Sequence, residues 1–226
     1  MQTKSCRNCR GLIFDLDGVI VHTDRYHYLA WKAIADRLGI PFDEAVNNRL
    51  RGVSRAESLA IILEGCRGPL PTEAERERLA EEKNRIYRQS LSALTPADAD
   101  TGVRETLATL RARGYRLAIG SSSRNAGLIL ERLDLRGAFD NVTDGNAITH
   151  SKPDPEVFLT AAKGLGLKPE ECAVIEDATA GITAAKMSGM LAIAIGDATK
   201  DPRADIRLTR LSDLTELFAA PAEAHA

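Results

Sequence analysis

Apolar and polar positions change their period twice along the chain. Leu12, Ile13 and Phe14 form a short continuous apolar run, the pattern of a strand buried on both faces. From about residue 24 to 94 apolar positions recur at helical spacing instead. Trp31, Ile34, Ala35 and Leu38 mark a helix stopped by Gly39 and Pro41, and Phe42, Val46 and Leu50 mark a short one. Ser54-Arg55-Ala56-Glu57 has the form of a capping box ahead of Leu59 and Leu63, and Pro71, Thr72 and Glu75 open a charged helix that runs to about Leu91. After Pro96 the periods alternate. Val103, Leu107 and Leu110 predict a helix closed by Gly114, and 116–120 a buried strand. Leu128, Ile129 and Leu133 predict a helix, 139–142 a strand, 156–165 a helix and 173–175 a strand. A helix from Thr179 and a strand over 191–195 complete the series.

Alternating strands and helices imply an α/β fold, a doubly wound parallel sheet that includes the first strand, with an inserted all-helical cap domain. The expected division is a catalytic core of residues 1–22 plus 96–226 and a cap of residues 23–95, with hinges near Thr23 and Thr95. The small, polar tail at 221–226 is expected to fray.

Charge narrows the partners. With 30 basic and 32 acidic residues the net charge is −2, and no basic arm or aromatic-interleaved basic stripe suggests nucleic acid. No apolar run approaches the roughly 18–20 residues that span a bilayer, and the N-terminus MQTKSCRNCR is polar, so a cytoplasmic monomer that binds small molecules and no membrane is expected. Cys6 and Cys9 form a C-x-x-C with no second pair or histidines to complete a zinc site. They read as ordinary thiols, and Cys66 and Cys172 as small hydrophobes.

Four strand ends carry unusual polar residues: Asp15 and Asp17; Ser121, Ser122 and Ser123 with Asn125; Lys152 in a loop; and Glu176 with Asp177. Each alone has a bland reading as a turn, a solvated lysine or a helix cap. In an open parallel sheet, however, all four would surround one crevice beyond the strands' C-terminal ends. Carboxylates from two strands without a His or Cys partner suit a hard, oxygen-loving ion, Mg²⁺ above all, while Lys and Ser supply charge and donors to a phosphate. Phosphoryl transfer by an aspartate nucleophile with Mg²⁺ follows. Arg55 falls in a first helical turn, where exposed amides also favour anions.

DLDGV, GSSSRN, SKPDP and IEDATAGI fall in the order and spacing of the four motifs of the haloacid dehalogenase superfamily, which the chain resembles. In the helical segment YHYLAW, RGVSRAESL and EEKNRIY, with LTPAD after it, resemble the cap of the sugar phosphomutases in that superfamily. The resemblance implies interconversion of β-D-glucose 1-phosphate and D-glucose 6-phosphate, with β-glucose 1,6-bisphosphate as phosphorylating activator. Asp15 would take the phosphoryl group and Asp17 act as general acid/base. Asp15, Asp177 and the backbone carbonyl of Asp17 would bind Mg²⁺, with Glu176 near or on the ion. Ser121 and Lys152 would hold the transferring phosphoryl group, and Arg55, Ser123 and Asn125 the other phosphate. His27 and Lys83 would couple cap closure to the placing of Asp17. Arg51, Gly52, Val53, Ser54, Ser58 and Ser122 would complete the substrate contacts. Val21-His22 replaces a Thr-Asp pair common in the family, and Arg51 stands where Lys is usual. The rivals are a sugar-phosphate phosphatase of the same fold and, more distantly, a non-catalytic sugar-phosphate binder.

Overall fold

The structure, a computed structural model, describes residues 6–219, so the tail at 221–226 lies outside the described residues. In chain order the elements are β1 (Gly11–Phe14), α1 (Asp24–Arg37), α2 (Glu44–Asn48), α3 (Arg55–Leu63), α4 (Glu73–Leu91), α5 (Val103–Ala112), β2 (Arg116–Gly120) and α6 (Ala126–Arg132). There follow β3 (Asn141–Thr143), α7 (Glu156–Gly164), β4 (Cys172–Glu176), α8 (Thr179–Met187), β5 (Leu191–Ala194), β6 (Ile206–Arg207) and α9 (Leu214–Leu217). The strand expected over 139–142 begins two residues later, because Phe139 packs edge-on against Phe14 before the chain joins the sheet.

All strands run parallel in the order β3-β2-β1-β4-β5-β6, which puts the first strand at the centre. Strand residues alternate between two layers, as the pleat requires. Leu12, Phe14, Ile119 and Ile175 join the layer that holds residues of α5, α6 and α9, while Ile13, Ala118 and Val174 join the layer formed by α7 and α8. Both faces are thus covered by helices, and β1 is buried along its whole length.

Between Asp24 and Leu91 only helices occur among these elements. They bury a cluster of their own around Trp31, Ile34, Leu59, Ile62 and Leu79. Ala30 of α1, with Tyr87 and Leu91 of α4, belongs instead to the sheet's cluster and roots the helical pair there. The capping box expected at Ser54 and Glu57 is present, and so is the one at Thr72 and Glu75. Where the chain leaves and re-enters the sheet domain, Val21 bridges Ala99 and the Asp100 amide donates to the Ile20 carbonyl at 3.1 Å. Among the described residues no helix is long and apolar enough to cross a membrane.

The register fixes the functional strand ends. Phe14 pairs with Ile119 on one side and Ile175 on the other, so Asp15, Gly120 and Glu176 emerge level with one another. Gly181, in α8, lets the helix lie against the last of these: a Cβ there would stand 1.9 Å from the Glu176 carboxyl. Alanine normally favours a helix by about 1 kcal/mol over glycine, but this overlap should win. Gly181→Ala is expected to lose roughly 1–3 kcal/mol in urea unfolding; a gain in stability would show that α8 does not approach the strand end so closely.

Candidate active site

Asp15 directly follows β1, and its amide is fixed by the Ile175 carbonyl at 2.9 Å. Its carboxylate Oδ1 accepts a hydrogen bond from the Lys152 Nζ at 2.5 Å, and the same ammonium donates to Glu176 Oε1. Lys152 has no solvent exposure. Burial alone would lower its pKa, but Asp15 and Glu176 outweigh that and hold the ammonium above its ordinary range. The second Glu176 oxygen accepts from the backbone amides of Asp177 and Ala178, both at 3.1 Å, so this carboxylate ties Lys152 to the start of α8.

Asp17 faces the other way, toward the helices. The Thr23 hydroxyl donates to its Oδ1, Thr23 also lies 2.9 Å from the Tyr87 hydroxyl, and the His27 Nε2 is 3.9 Å from Asp17 Oδ2. Burial pushes the Asp17 carboxyl up to about 7, against the Thr23 hydrogen bond and with help from Asp15. His27 Nδ1 lies 2.8 Å from the Lys83 Nζ. Burial and the nearby Arg55 bring Lys83 down to about 7, and burial with Lys83 holds His27 well below its usual value. Gly18 keeps the loop tight. Its φ is +83°, and a Cβ would stand 2.0 Å from the Asp177 carboxylate.

The far side of the cleft is built by the loop into α3 and by α4. Arg55, a fifth exposed, pairs with Glu81 at 2.9 Å. Burial and the neighbouring Arg124 outweigh that pairing and lower its pKa, the mark of a guanidinium whose charge is incompletely compensated. Asn125 Nδ2 donates to Asn84 Oδ1 at 3.0 Å across the cleft. The Ser122 hydroxyl donates to the Gly52 carbonyl at 3.0 Å. Arg51, expected at the sugar, directs its guanidinium to Asp177 and to Asp197, the latter at 2.8 Å. Its planar fork reaches two carboxylates at once, where a lysine would reach one point.

The cleft so enclosed measures ≈ 630 Å³. Of the residues expected at the site, Asp15, Asp17, His27, Arg51, Gly52, Val53, Ser54, Arg55, Ser58, Lys83, Ser121, Ser122, Ser123, Asn125 and Asp177 line it. Lys152 and Glu176 lie just behind, in contact with Asp15 or beside Asp177. Sequence reasoning missed Thr23 and Tyr87, which orient Asp17, and Asn84, which holds Asn125. It also left Arg124 unassigned, although the residue stands within the GSSSRN motif.

The fit to a cation rests on the donor set. Oxygens of Asp15, Glu176 and Asp177 lie within 4.8 Å of one another, all three residues are buried, and no soft ligand is among them. Burial raises the carboxyl of Glu176 against the pull of Lys152, and burial with repulsion from Glu176 and Asp15 raises that of Asp177. A cluster with more carboxylates than cations suits a hard divalent ion such as Mg²⁺. The Asp17 side chain is engaged elsewhere, which leaves its backbone carbonyl as the group it would offer. A second group of potential ligands, His150, Asp154 and Glu156, lies partly exposed at the start of α7.

A family model described as haloacid dehalogenase-like hydrolase matches residues 9–189. The β-phosphoglucomutase of Bacillus subtilis (strain 168) is 44% identical over 207 residues, covering 91% of this chain and 92% of that protein. A phosphorylated carbohydrates phosphatase of Thermotoga maritima is 34% identical, over 79% of this chain and 81% of its own length. Among solved structures, the β-phosphoglucomutase of Clostridium difficile superposes with a TM-score of 0.86 at 36% identity, covering 91% of this chain and 93% of that one.

The raised pKa of Asp17 gives a stability test with a definite sign. Its folded value of about 7 exceeds the ordinary 3.8, so the folded state holds the proton more tightly. The stability this contributes is present in acid and is lost as pH rises through about 7. Asp17→Asn is spared the loss. Measured by urea unfolding with a chelator present, its advantage over the parent should grow by on the order of 1–3 kcal/mol between about pH 4 and 7, then level off. Lys83, with its pKa lowered to about 7, acts in the opposite sense and only above that pH, so the two windows separate. An advantage independent of pH would contradict the burial argument.

Proposed function

The chain belongs to the haloacid dehalogenase-like hydrolase family, and from that premise we propose that it is a mutase interconverting β-D-glucose 1-phosphate and D-glucose 6-phosphate. The observation that carries this reading is a cleft with an anion grip at each end. Lys152 and Ser121 flank Asp15 at one end, and Arg55 with Arg124 and Asn125 stands at the other. Similarity to two β-phosphoglucomutases over nine-tenths of the chain supports it. A phosphatase of the same fold, the activity named for the Thermotoga relative, has less use for a second grip on its substrate.

In the proposed reaction Asp15 Oδ attacks the phosphorus of β-glucose 1,6-bisphosphate. The bond to the sugar oxygen breaks, and that oxygen takes a proton from Asp17. The sugar monophosphate then leaves and a β-glucose 1-phosphate enters; the bisphosphate formed from it turns end for end before it returns its other phosphoryl group to Asp15 and departs as glucose 6-phosphate. In the reverse half reaction Asp17 removes the proton from a sugar hydroxyl as it attacks the aspartyl phosphate. A pKa raised to about 7 suits a group that must both give and take a proton near neutrality. Lys152 and Ser121 would hold the transferring group, while Arg55, Arg124, Ser123 and Asn125 would hold the other phosphate through charge-assisted hydrogen bonds. Mg²⁺, bound by Asp15, Asp177 and the Asp17 carbonyl with Glu176 beside them, would supply positive charge to the phosphoryl oxygens.

Residues 23–95 would act as a cap on residues 1–22 plus 96–226, pivoting where Val21 bridges Ala99. Closure would bring Arg55 to the ligand and keep water from the aspartyl phosphate. Asp17 would follow this motion, because Thr23, Tyr87 and His27, all on or next to the helices, contact or face its carboxylate or its partner.

The test is an assay with Mg²⁺, β-glucose 1-phosphate and a trace of the bisphosphate, counting glucose 6-phosphate against free phosphate. The parent protein should give mainly glucose 6-phosphate, and mainly free phosphate would favour the phosphatase reading. Asp15→Asn should abolish both products, since an amide cannot accept the phosphoryl group. Turnover retained in that variant would refute the nucleophile. Arg55→Ala should cost roughly 2–4 kcal/mol of closed-state binding and raise the ratio of phosphate to glucose 6-phosphate while total turnover falls. A proportional fall in both products would show that Arg55 does not direct transfer to the sugar.

A further inference from the structure

The capping box of α3 has a partner from outside the helix. Glu57 Oε2 accepts from the Ser54 amide at 2.9 Å and the Ser54 hydroxyl accepts from the Glu57 amide at 3.2 Å, which completes the box, and the same hydroxyl donates to Glu57 Oε2 at 2.7 Å. The same oxygen also accepts from the Ser151 hydroxyl at 2.5 Å, and Ser151 Oγ in turn accepts from the Ser54 amide at 3.2 Å. Ser151 belongs to the loop between β3 and α7, on the sheet side of the cleft, whereas Ser54 and Glu57 stand on the helical side. A capping box is complete within its own turn and needs no such donor. Burial would raise the Glu57 carboxyl, yet the hydroxyls of Ser151 and Ser54 hold it below its ordinary value, so the carboxylate is the form that accepts these bonds.

The positions in sequence give this contact its meaning. Ser54 is the immediate neighbour of Arg55, and Ser151 of Lys152. The bond therefore joins, through a single carboxylate, the backbones that carry the two cations at opposite ends of the cleft. We propose that Ser151 and Glu57 are positioning residues forming a closure latch, which sets the spacing of the two phosphate grips and so selects a bisphosphate-length hexose ligand against water as phosphoryl acceptor. This inference rests on the mutase reading above. The Ser122 hydroxyl on the Gly52 carbonyl and the Arg51 pairs with Asp177 and Asp197 hold the other end of the same loop, so the Ser151 contact is what fixes its Ser54 end to the sheet side.

Ser151→Ala removes the cross-cleft donor and leaves the Ser54–Glu57 box intact, whereas Ser151→Thr retains a hydroxyl. In the full-length protein, KM for the bisphosphate and the ratio of phosphate to glucose 6-phosphate are measured for both variants. A hydrogen bond to a charged acceptor predicts that Ser151→Ala raises KM and that ratio by about tenfold, and that Ser151→Thr returns both toward the parent values. Parent-like KM and partition in Ser151→Ala would overturn the latch. Equal impairment in Ser151→Thr would also overturn it, because packing rather than the hydroxyl would then be at work. If the parent protein itself forms no glucose 6-phosphate, the mutase reading fails, and KM for phosphate release from the bisphosphate still decides the latch: a rise in Ser151→Ala alone supports it, and no rise refutes it.

Discussion

The ammonium of Lys152, buried without exposure between Asp15 and Glu176, is the interaction on which the site depends. A buried cation is costly unless paired and hydrogen-bonded, and removing one partner of such a pair costs several kcal/mol, roughly 3–5. The two carboxylates must therefore arrive at Lys152 together. The parallel register of β1 against β4 does this, since Phe14 opposite Ile175 sets Asp15 level with Glu176. Gly181 clears space for the Glu176 carboxylate and Gly18 for that of Asp177. The pairing is still unbalanced. Asp177 adds a third carboxylate against which Arg51 is the second cation, and the negative charge still left over makes the strand ends attractive to a divalent cation.

The helical segment supplies what the sheet lacks. The sheet side places Asp15, the proposed nucleophile, and its counter-charges on strand ends buried in two apolar layers. Asp17 is oriented from the other side, by Thr23 and through it Tyr87, and Arg55 rises from the first turn of a helix whose cap is tied to Ser151. In the proposed mechanism a proton-transfer group oriented from one side and a nucleophile placed by the other would be in register only when the two sides meet. Such an arrangement would link closure to chemistry.

The sheet and the strand-end residues were legible in the sequence because they rest on local signals. An apolar run such as Leu12-Ile13-Phe14 followed by carboxylates marks a central strand with a functional end, and Ser54 with Glu57 announces its own helix start. Elements that depend on distant partners were not. The short strand β6 offers one apolar residue, Ile206, and finds its place only by pairing with β5. Asn84 sits on the polar face of a charged helix, and nothing local shows that Asn125 lies across from it. Arg51 was read by resemblance as a sugar contact. Its partners Asp177 and Asp197 are more than a hundred residues away, and only the fold brings them together. Arg124 could have been found, being the sole cation in a loop already marked as phosphate-binding.

The most direct test of the account is to find where the phosphoryl group goes. The protein is mixed with Mg²⁺ and β-glucose 1,6-bisphosphate, quenched in acid, digested, and its peptides are mapped by mass spectrometry. The account predicts one acid-stable, hydroxylamine-labile phosphoryl group, carried by the peptide that contains Asp15 and located on that residue. A phosphoryl group on any other side chain, or rapid release of phosphate with no labelled peptide under any quench time, would contradict it.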